Sequence, residues 1–370
     1  MILYVYIGYP LLVFLIASVR RRPIQKGNDE PTVTILIAAH NEEQSIAKTL
    51  KNKIHQDYPA DKLQIIVVSD NSSDRTDEIV RTFDPRCVRL IRQEPRAGKT
   101  AALNLAFPSA KGDIIIFSDA NSMYRPDTIR CLVRNFQDPQ IGYVTGRMIY
   151  QNPTASTTGE SCSTYMKYEN FLRRFESEIG SVVGVDGGVD AVRRSLYRPM
   201  RPDQLPDFVL PLKVVQQGFR VVYEPGAVLM EDALPSSADE YAMRVRVALR
   251  TYWALKDMKS LLSPACNLLF AWQLWSHKVL RYLCFLFLIV AYLANLSLWF
   301  QGPIYKVLFL SQNLLYVGAF LSPVFSKRGF RPRLLYLSNY FVLLNVSSAH
   351  AFLKFLSGKK QTFWAPRKGL

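Results

Sequence analysis

A chain of 370 residues has room for one large globular domain of about 250 residues together with about four membrane segments. Its formal net charge of +16 suits work beside anionic lipid or on anionic ligands. The basic residues flank apolar segments and form no stripe interleaved with aromatics, which argues against nucleic acid as a partner. The five cysteines, Cys87, Cys131, Cys162, Cys266 and Cys284, are odd in number and widely spaced, which suggests neither a zinc ligand set nor a disulfide framework and fits a reducing, cytosol-facing domain.

From Ile2 to Val19 the chain is almost wholly apolar, then turns to Arg20-Arg21-Arg22-Pro23 without a small-residue cleavage site. Residues 1–22 are therefore expected to be a retained membrane anchor and not a cleaved signal. The segment is slightly short for a full crossing, so an interfacial or tilted helix fits the same residues.

Residues 31–260 read as alternating strands and helices. Thr32 to Ala38, Leu63 to Ser69 and Asp113 to Phe117 are short runs rich in Ile and Val, separated by helix-like stretches at Glu42 to Ile54 and Asp74 to Phe83. Nearly continuous apolar strands predict a parallel sheet covered on both faces, with ligands at the strands' carboxyl ends.

Each strand end carries polar residues. Ala38-Ala39-His40-Asn41-Glu42 closes the first; taken alone, Asn41 also serves as a helix cap and Glu42 as a first-turn acid. Asp70-Asn71-Ser72-Ser73-Asp74 closes the second, where Asp70 can accept hydrogen bonds from a ribose or a base imide, or belong to a capping loop. Arg96-Ala97-Gly98-Lys99-Thr100 opens a helix whose amides and Lys99 could meet a diphosphate, a solvated Lys99 being the alternative. A P-loop is excluded, since that motif needs glycine where Gln93 stands. Ser118-Asp119-Ala120-Asn121 closes the third strand. Strand alternation would turn Asp119 and Asn121 to one side, toward a divalent ion bridging phosphates, although both residue types are common in any turn. Such hard oxygen ligands call for Mg2+ or Mn2+. Further on, Asp207 heads a helix-then-strand pattern, as a general base or simply as a favourable acid at a helix start.

In this order, with an anchor before and apolar segments after, these pieces resemble the family 2 glycosyltransferases of the membrane polysaccharide-synthase kind. The resemblance implies a GT-A fold, that is, a Rossmann-like mixed α/β sheet flanked by helices. It also implies a nucleotide-diphosphate sugar donor with a UDP-sugar as first expectation, a divalent cation, and inversion at the anomeric carbon. Carried over by position, Ala38, His40 and Glu42 match strand-end nucleotide contacts, Asp70 the aspartate that holds the base, and Lys99 the basic residue near the diphosphate. Asp119 and Asn121 occupy the Asp-x-Asp metal motif, with Asn in place of the second acid, which loses one charge and keeps an oxygen ligand. Asp207 falls where the family places its catalytic base, although Pro206 precedes it instead of the frequent acid. Gly184-Val185-Asp186-Gly187-Gly188 resembles the acceptor-side segment; its glycines also suit a plain tight turn. Met243-Arg244-Val245-Arg246-Val247 stands where processive members carry Gln-x-x-Arg-Trp. Only Arg246 is kept, which argues against a cellulose- or hyaluronan-type processive enzyme. Arg244, Arg246 and Arg250 could contact diphosphate or acceptor, or form the charged face of an interfacial helix.

Beyond the domain, residues 261–280 carry Trp272, Trp275, His277 and Lys278 and read as an amphipathic helix in the headgroup layer. Residues 281–356 read as about three transmembrane helices, at Tyr282 to Phe300, Ile304 to Pro323 and Leu334 to Phe355, the last interrupted by Asn339, Asn345 and His350. Basic residues after the anchor and from Lys327 through Arg328 and Arg331 to Arg333 put both loops, and the catalytic domain, on the cytoplasmic side of an integral membrane protein. The basic tail at residues 357–370, with Lys359, Lys360, Arg367 and Lys368, conflicts with four full crossings. The implied partners are the donor, a membrane-associated lipid or glycan acceptor and the bilayer. Three or four helices are few for a pore, so a polysaccharide product would call on an oligomer or on export partners. Two other readings are a sugar transferase acting on a polyprenyl phosphate and a non-catalytic membrane scaffold. The first would need no strong base; the second would be expected to lack several of Asp70, Asp119 and Asp207, all present here.

Overall fold

The computed structural model describes residues 1–151, 157–232, 237–327 and 332–363. Arg328, Arg331, Arg367 and Lys368, used above to argue topology, lie outside the described residues. The N-terminal segment is helical, a π-helical turn at Tyr4–Gly8 running into α1, Tyr9–Val19. The domain then alternates through β1 (Val33–Ala39), α2 (Ile46–Ile54), β2 (Leu63–Asp70), α3 (Thr76–Arg81), β3 (Val88–Gln93), α4 (Lys99–Ala106) and β4 (Ile114–Asp119). It continues with β5 (Met123–Tyr124), α5 (Thr128–Val133), β6 (Ile141–Gln151), α6 (Thr157–Ile179), β7 (Asp190–Arg193), α7 (Pro206–Gln216), β8 (Arg220–Asp232) and α8 (Ser237–Asp257).

The eight strands form one sheet in the order β3-β2-β1-β4-β7-β6-β8-β5. The expected parallel arrangement holds for β3, β2, β1 and β4, whereas β7 runs antiparallel to β4 and β6, and β5 antiparallel to β8, so the sheet is mixed. Every residue of β1 is buried. Leu36 and Ala38 enter the core on one face, and Val33, Ile35, Ile37 and Ala39 enter the core on the other. That split is the two-residue period of a strand covered on both sides. Chain order reverses between β1 and β4, where Ala38 pairs with Asp119. This reversal opens a crevice at the strands' carboxyl ends.

The helices near the crevice start later than the sequence pattern predicts. The stretch expected from Glu42 begins at Ile46, because Asn41 adopts a left-handed φ of 55° and the chain turns through Ser45 before winding up. The stretch expected from Asp74 begins at Thr76, with the Asp74 carboxylate accepting the Thr76 amide at 3.0 Å.

After the domain come α9 (Leu268–Leu274), a π-helical turn at Trp275–Val279, α10 (Leu280–Tyr282), α11 (Cys284–Ser297), α12 (Pro303–Lys327) and α13 (Arg333–Leu356). Among the described residues one helical stretch, Pro303–Phe325, is long and apolar enough to cross a bilayer. A second qualifies only if Leu268–Tyr282 and Cys284–Ser297, bent by 60°, count as one span. The N-terminal helix, Tyr4–Val19, is shorter. Helix α13 does not reach that measure and packs on α8, Ala351 and Phe352 meeting Val245, Leu249 and Tyr252. Helix α1 packs on α6, with Tyr9, Val13 and Ala17 against Leu172, Phe175 and Ile179.

Candidate active site

Three titratable side chains meet at the crevice. Asp119 ends β4, Lys99 is the first residue of α4, and Asp207 stands in the first turn of α7. The Lys99 Nζ lies 2.7 Å from Asp119 Oδ1 and 3.5 Å from Asp207 Oδ1. Burial disfavours the Lys99 ammonium, but the carboxylates of Asp119 and Asp207 outweigh that and hold its pKa above the ordinary lysine value. Burial raises the Asp207 carboxyl above the usual aspartate range; Lys99 opposes the shift and Asp119 adds to it.

Glycines make this approach feasible. Gly187 has φ +87°, and a Cβ there would land on the Asp207 carboxyl group. At Gly188 a Cβ would lie 3.3 Å from Asp119 Oδ2. The Gly187-Gly188 pair thus passes between the two acids with no room for a side chain. Gly98, at φ +94°, precedes Lys99, and a Cβ there would meet the Thr362 carbonyl at 2.9 Å. The segment after α13 therefore returns to the crevice, where Lys360 Nζ also pairs with Asp203 at 2.6 Å.

Asp70, at the end of β2, is fully buried. Its carboxylate accepts the Ala97 amide at 2.8 Å, the Gly98 amide at 3.0 Å and the Gln93 side-chain amide. Asp70 therefore shapes the loop that presents Lys99. The His40 Nδ1 lies 2.8 Å from the Asp70 carbonyl, and Asn41 Oδ1 accepts the Ser73 amide at 2.8 Å, so the ends of β1 and β2 are laced together. Ala38 sits at the crevice edge, and Glu42 accepts from the Ser45 hydroxyl at 2.6 Å.

The sequence model of Glycosyl transferase family 2 matches residues 34–199, which include β1 to β7, Lys99 and Asp119. Over these residues the chain is similar to the family 2 glycosyltransferases. A probable glycosyltransferase of Bacillus subtilis, YdaM, is 30% identical over 239 residues, 60% of this chain and 54% of that protein. The beta-monoglucosyldiacylglycerol synthase of Trichormus variabilis is 29% identical over 170 residues, 44% of this chain and 36% of that protein. The chain thus matches about half or less of the length of these relatives. A mannosyltransferase from Pyrobaculum calidifontis, solved with GDP-Man and Mn2+, is 24% identical with a TM-score of 0.73, and 97% of each chain is covered. The fold of that structure is therefore shared along nearly the whole chain.

Beside the three meeting side chains, Asn121 is half-buried in the turn after β4. The strand ends at Asp119, so strand alternation does not set the direction of Asn121. The three arginines of α8 part company. The Arg244 guanidinium is held by Glu240 at 2.7 Å and by the Tyr340 hydroxyl at 2.7 Å. Arg250 donates to the carbonyls of Asp203 and Gln204, bracing the loop before Asp207. Burial lowers its pKa to about 10, Asp207 opposing and Arg246 adding to the shift. Arg246 is half-buried near Arg250.

Two residues went unnoticed in the sequence. Lys53 of α2 is fully buried; it donates to the Ser122 carbonyl at 2.7 Å and lies 3.3 Å from the Tyr124 ring centre, fixing the turn after Asp119 from below. Asp190, also fully buried, accepts the Tyr143 hydroxyl and the Gly187 amide, each at 2.9 Å, and so anchors the glycine pair. Burial pushes its carboxyl up to about 7.

Proposed function

We propose that the chain is an inverting glycosyltransferase that moves a hexose from a nucleotide-diphosphate sugar, a UDP-sugar first among them, to a membrane-associated acceptor in cell-surface polysaccharide or glycolipid synthesis. The observation that carries this reading is the Lys99 ammonium held between Asp119 and Asp207 at the sheet's switch point. One cation and two carboxylates there supply what a single displacement needs. Asp207, its basicity raised by burial, takes the proton of an acceptor hydroxyl as that oxygen attacks the anomeric carbon, which inverts. Lys99 stabilises the charge that develops on the leaving diphosphate. Asp70 holds the loop that positions Lys99, while Ala38, His40 and Glu42 line the nucleotide side and Arg246 the diphosphate side.

The donor set also fits a divalent ion. Asp119 and Asn121 offer hard oxygens, and no cluster of three His, Cys, Asp or Glu occurs among the described residues, so donor phosphates and water would complete the shell. Mg2+ and Mn2+ bind in that manner. When bound, the ion would supply Lewis-acid charge neutralisation at the diphosphate.

Membrane attachment through both ends belongs to the same proposal, with the catalytic domain facing the cytoplasm. Its support is the apolar surface of the helices: Leu293 is 57% exposed and Phe320 80% exposed. Large apolar side chains exposed along these helices suit contact with lipid.

The test is nucleotide release by the purified, detergent-solubilised chain against UDP-, GDP- and dTDP-sugars, with Mg2+, Mn2+ or chelator. Metal-dependent release of one nucleoside diphosphate, lost in Asp119→Ala, is expected. Release that is indifferent to both chelator and Asp119→Ala would overturn the assignment.

A further inference from the structure

A second polar site lies where α10 bends into α11, away from the crevice floor. Its cavity is walled by Tyr6 of the N-terminal helix, Tyr165 of α6, Arg244 of α8, Lys278 and Arg281, and Ser348 of α13. Three cations and three tyrosines, with Tyr282, thus surround one space. Two of the cations have acid partners, Arg244 with Glu240 and Arg281 with Glu169 at 2.5 Å. His277 is shared between Glu176 and Glu169. Lys278 makes no hydrogen bond or ion pair with any described residue; its ammonium stands 5.7 Å from the centre of the Phe208 ring. Its charge acts on the buried Glu169, but its three N–H donors are left without a hydrogen bond and can be taken up by an anion.

Two features say what kind of anion. Lys278 Nζ reaches the acceptor-side segment, since a Cβ at Gly184 would sit 2.5 Å from it, and Phe208 directly follows Asp207. Lys278 thus stands between this cavity and the helix that carries Asp207. It also sits at the 60° break between an interfacial stretch carrying Trp272 and Trp275 and the apolar α11, which is headgroup depth for a chain bound to a bilayer.

We propose that Lys278, with Arg281 and Arg244 beside it, binds the phosphate of a lipid and so presents a lipid-linked acceptor to Asp207. The acceptor role rests on the transferase reading above; the binding itself does not. The site takes a phosphate oxygen on Lys278, with the aromatic rings flanking the attached chain or headgroup.

The experiment is a binding titration on the purified full chain in detergent, without donor, followed by native mass spectrometry. The probes are a short-chain polyprenyl phosphate, the matching polyprenol and phosphatidylglycerol. Glu169, which feels the Lys278 charge, keeps Arg281 and His277 when Lys278 is removed, so Lys278→Gln is expected to fold, to bind the phosphate probes about tenfold more weakly, and to be restored by Lys278→Arg. Loss confined to polyprenyl phosphate identifies a lipid-phosphate acceptor, and equal loss for phosphatidylglycerol identifies a bilayer phospholipid. Equal affinity of Lys278→Gln and the native chain for both phosphates would overturn the proposal, as would polyprenol binding as tightly as its phosphate. Because no donor is present, a chain that consumed no nucleotide sugar would still decide the question.

Discussion

Asp207 reaches the crevice only because residue 187 has no side chain. Gly187→Ala would add a methyl group where the Asp207 carboxyl lies and would force φ +87° on an L-residue. Gly218 shares φ +87° with open space around it, so it isolates the backbone term, about 1–2 kcal/mol. Transfer assays and melting curves on both variants should show Gly218→Ala slightly destabilised but active and Gly187→Ala inactive; equal activity would mean that Asp207 tolerates displacement. Asp190 gives a second residue-level test. Its folded pKa of about 7 stands above the ordinary aspartate value of 3.8, so its stabilising contribution is full below the unfolded value and lost as pH rises through 7. Asp190→Asn, measured by thermal unfolding in detergent, should flatten the decline between those limits and stabilise the protein above pH 7 by a few kcal/mol, on the order of one per pH unit. Transfer by the native chain should fall at acid pH through an apparent pKa above the usual aspartate range, as Asp207 is protonated. Asp119, Lys99 and Asp207 were legible in the sequence because each ends a strand or begins a helix. Asp190 was not, since Val189-Asp190-Ala191 reads as an ordinary strand and only tertiary burial makes its carboxylate unusual.

At the level of elements, the turn after β4 is held by α2. Thr49 donates to the Ala120 carbonyl, Asn52 to the Tyr124 carbonyl and Lys53 to the Ser122 carbonyl, at 2.7, 2.9 and 2.7 Å. Lys53→Met keeps the length of the side chain and leaves the Ser122 carbonyl unpaired, at a cost of roughly 1–3 kcal/mol. It should also raise the Mg2+ or Mn2+ concentration needed for half-maximal nucleotide release; an unchanged metal requirement would separate this clamp from the Asp119 site. Lys53 was readable in principle, because Ile46, Thr49, Leu50 and Lys53 follow the helical spacing of a buried face. The contact of Thr362 with Gly98 was not readable, because local patterns carry no information about residues so far apart in the chain. The antiparallel strands β5 and β7 were missed for a related reason: at two and four residues they are too short to show a period.

At the scale of the molecule, a sheet with helices on both faces was legible from its apolar strands, though only its parallel half, and the terminal helices were only partly so. Asn339, Asn345 and His350 made the last apolar segment look a poor span, and α13 instead turns these groups inward. Asn339 donates to the Ala319 carbonyl at 2.8 Å, and His350 meets the Tyr241 hydroxyl at 2.9 Å. The same packing brings the segment after α13 back over Gly98, so the terminal helices and the crevice share one structure. The central claim is that Asp207 and Asp119 divide the chemistry, one acting on the acceptor and the other on the donor. The measurement that tests it most directly compares sugar transfer with donor binding in Asp207→Asn. Transfer should fall by roughly 10²- to 10⁴-fold while the Kd for the nucleotide sugar stays within a few-fold of native. Equal loss of transfer and donor affinity, or retention of most turnover, would contradict Asp207 as the base.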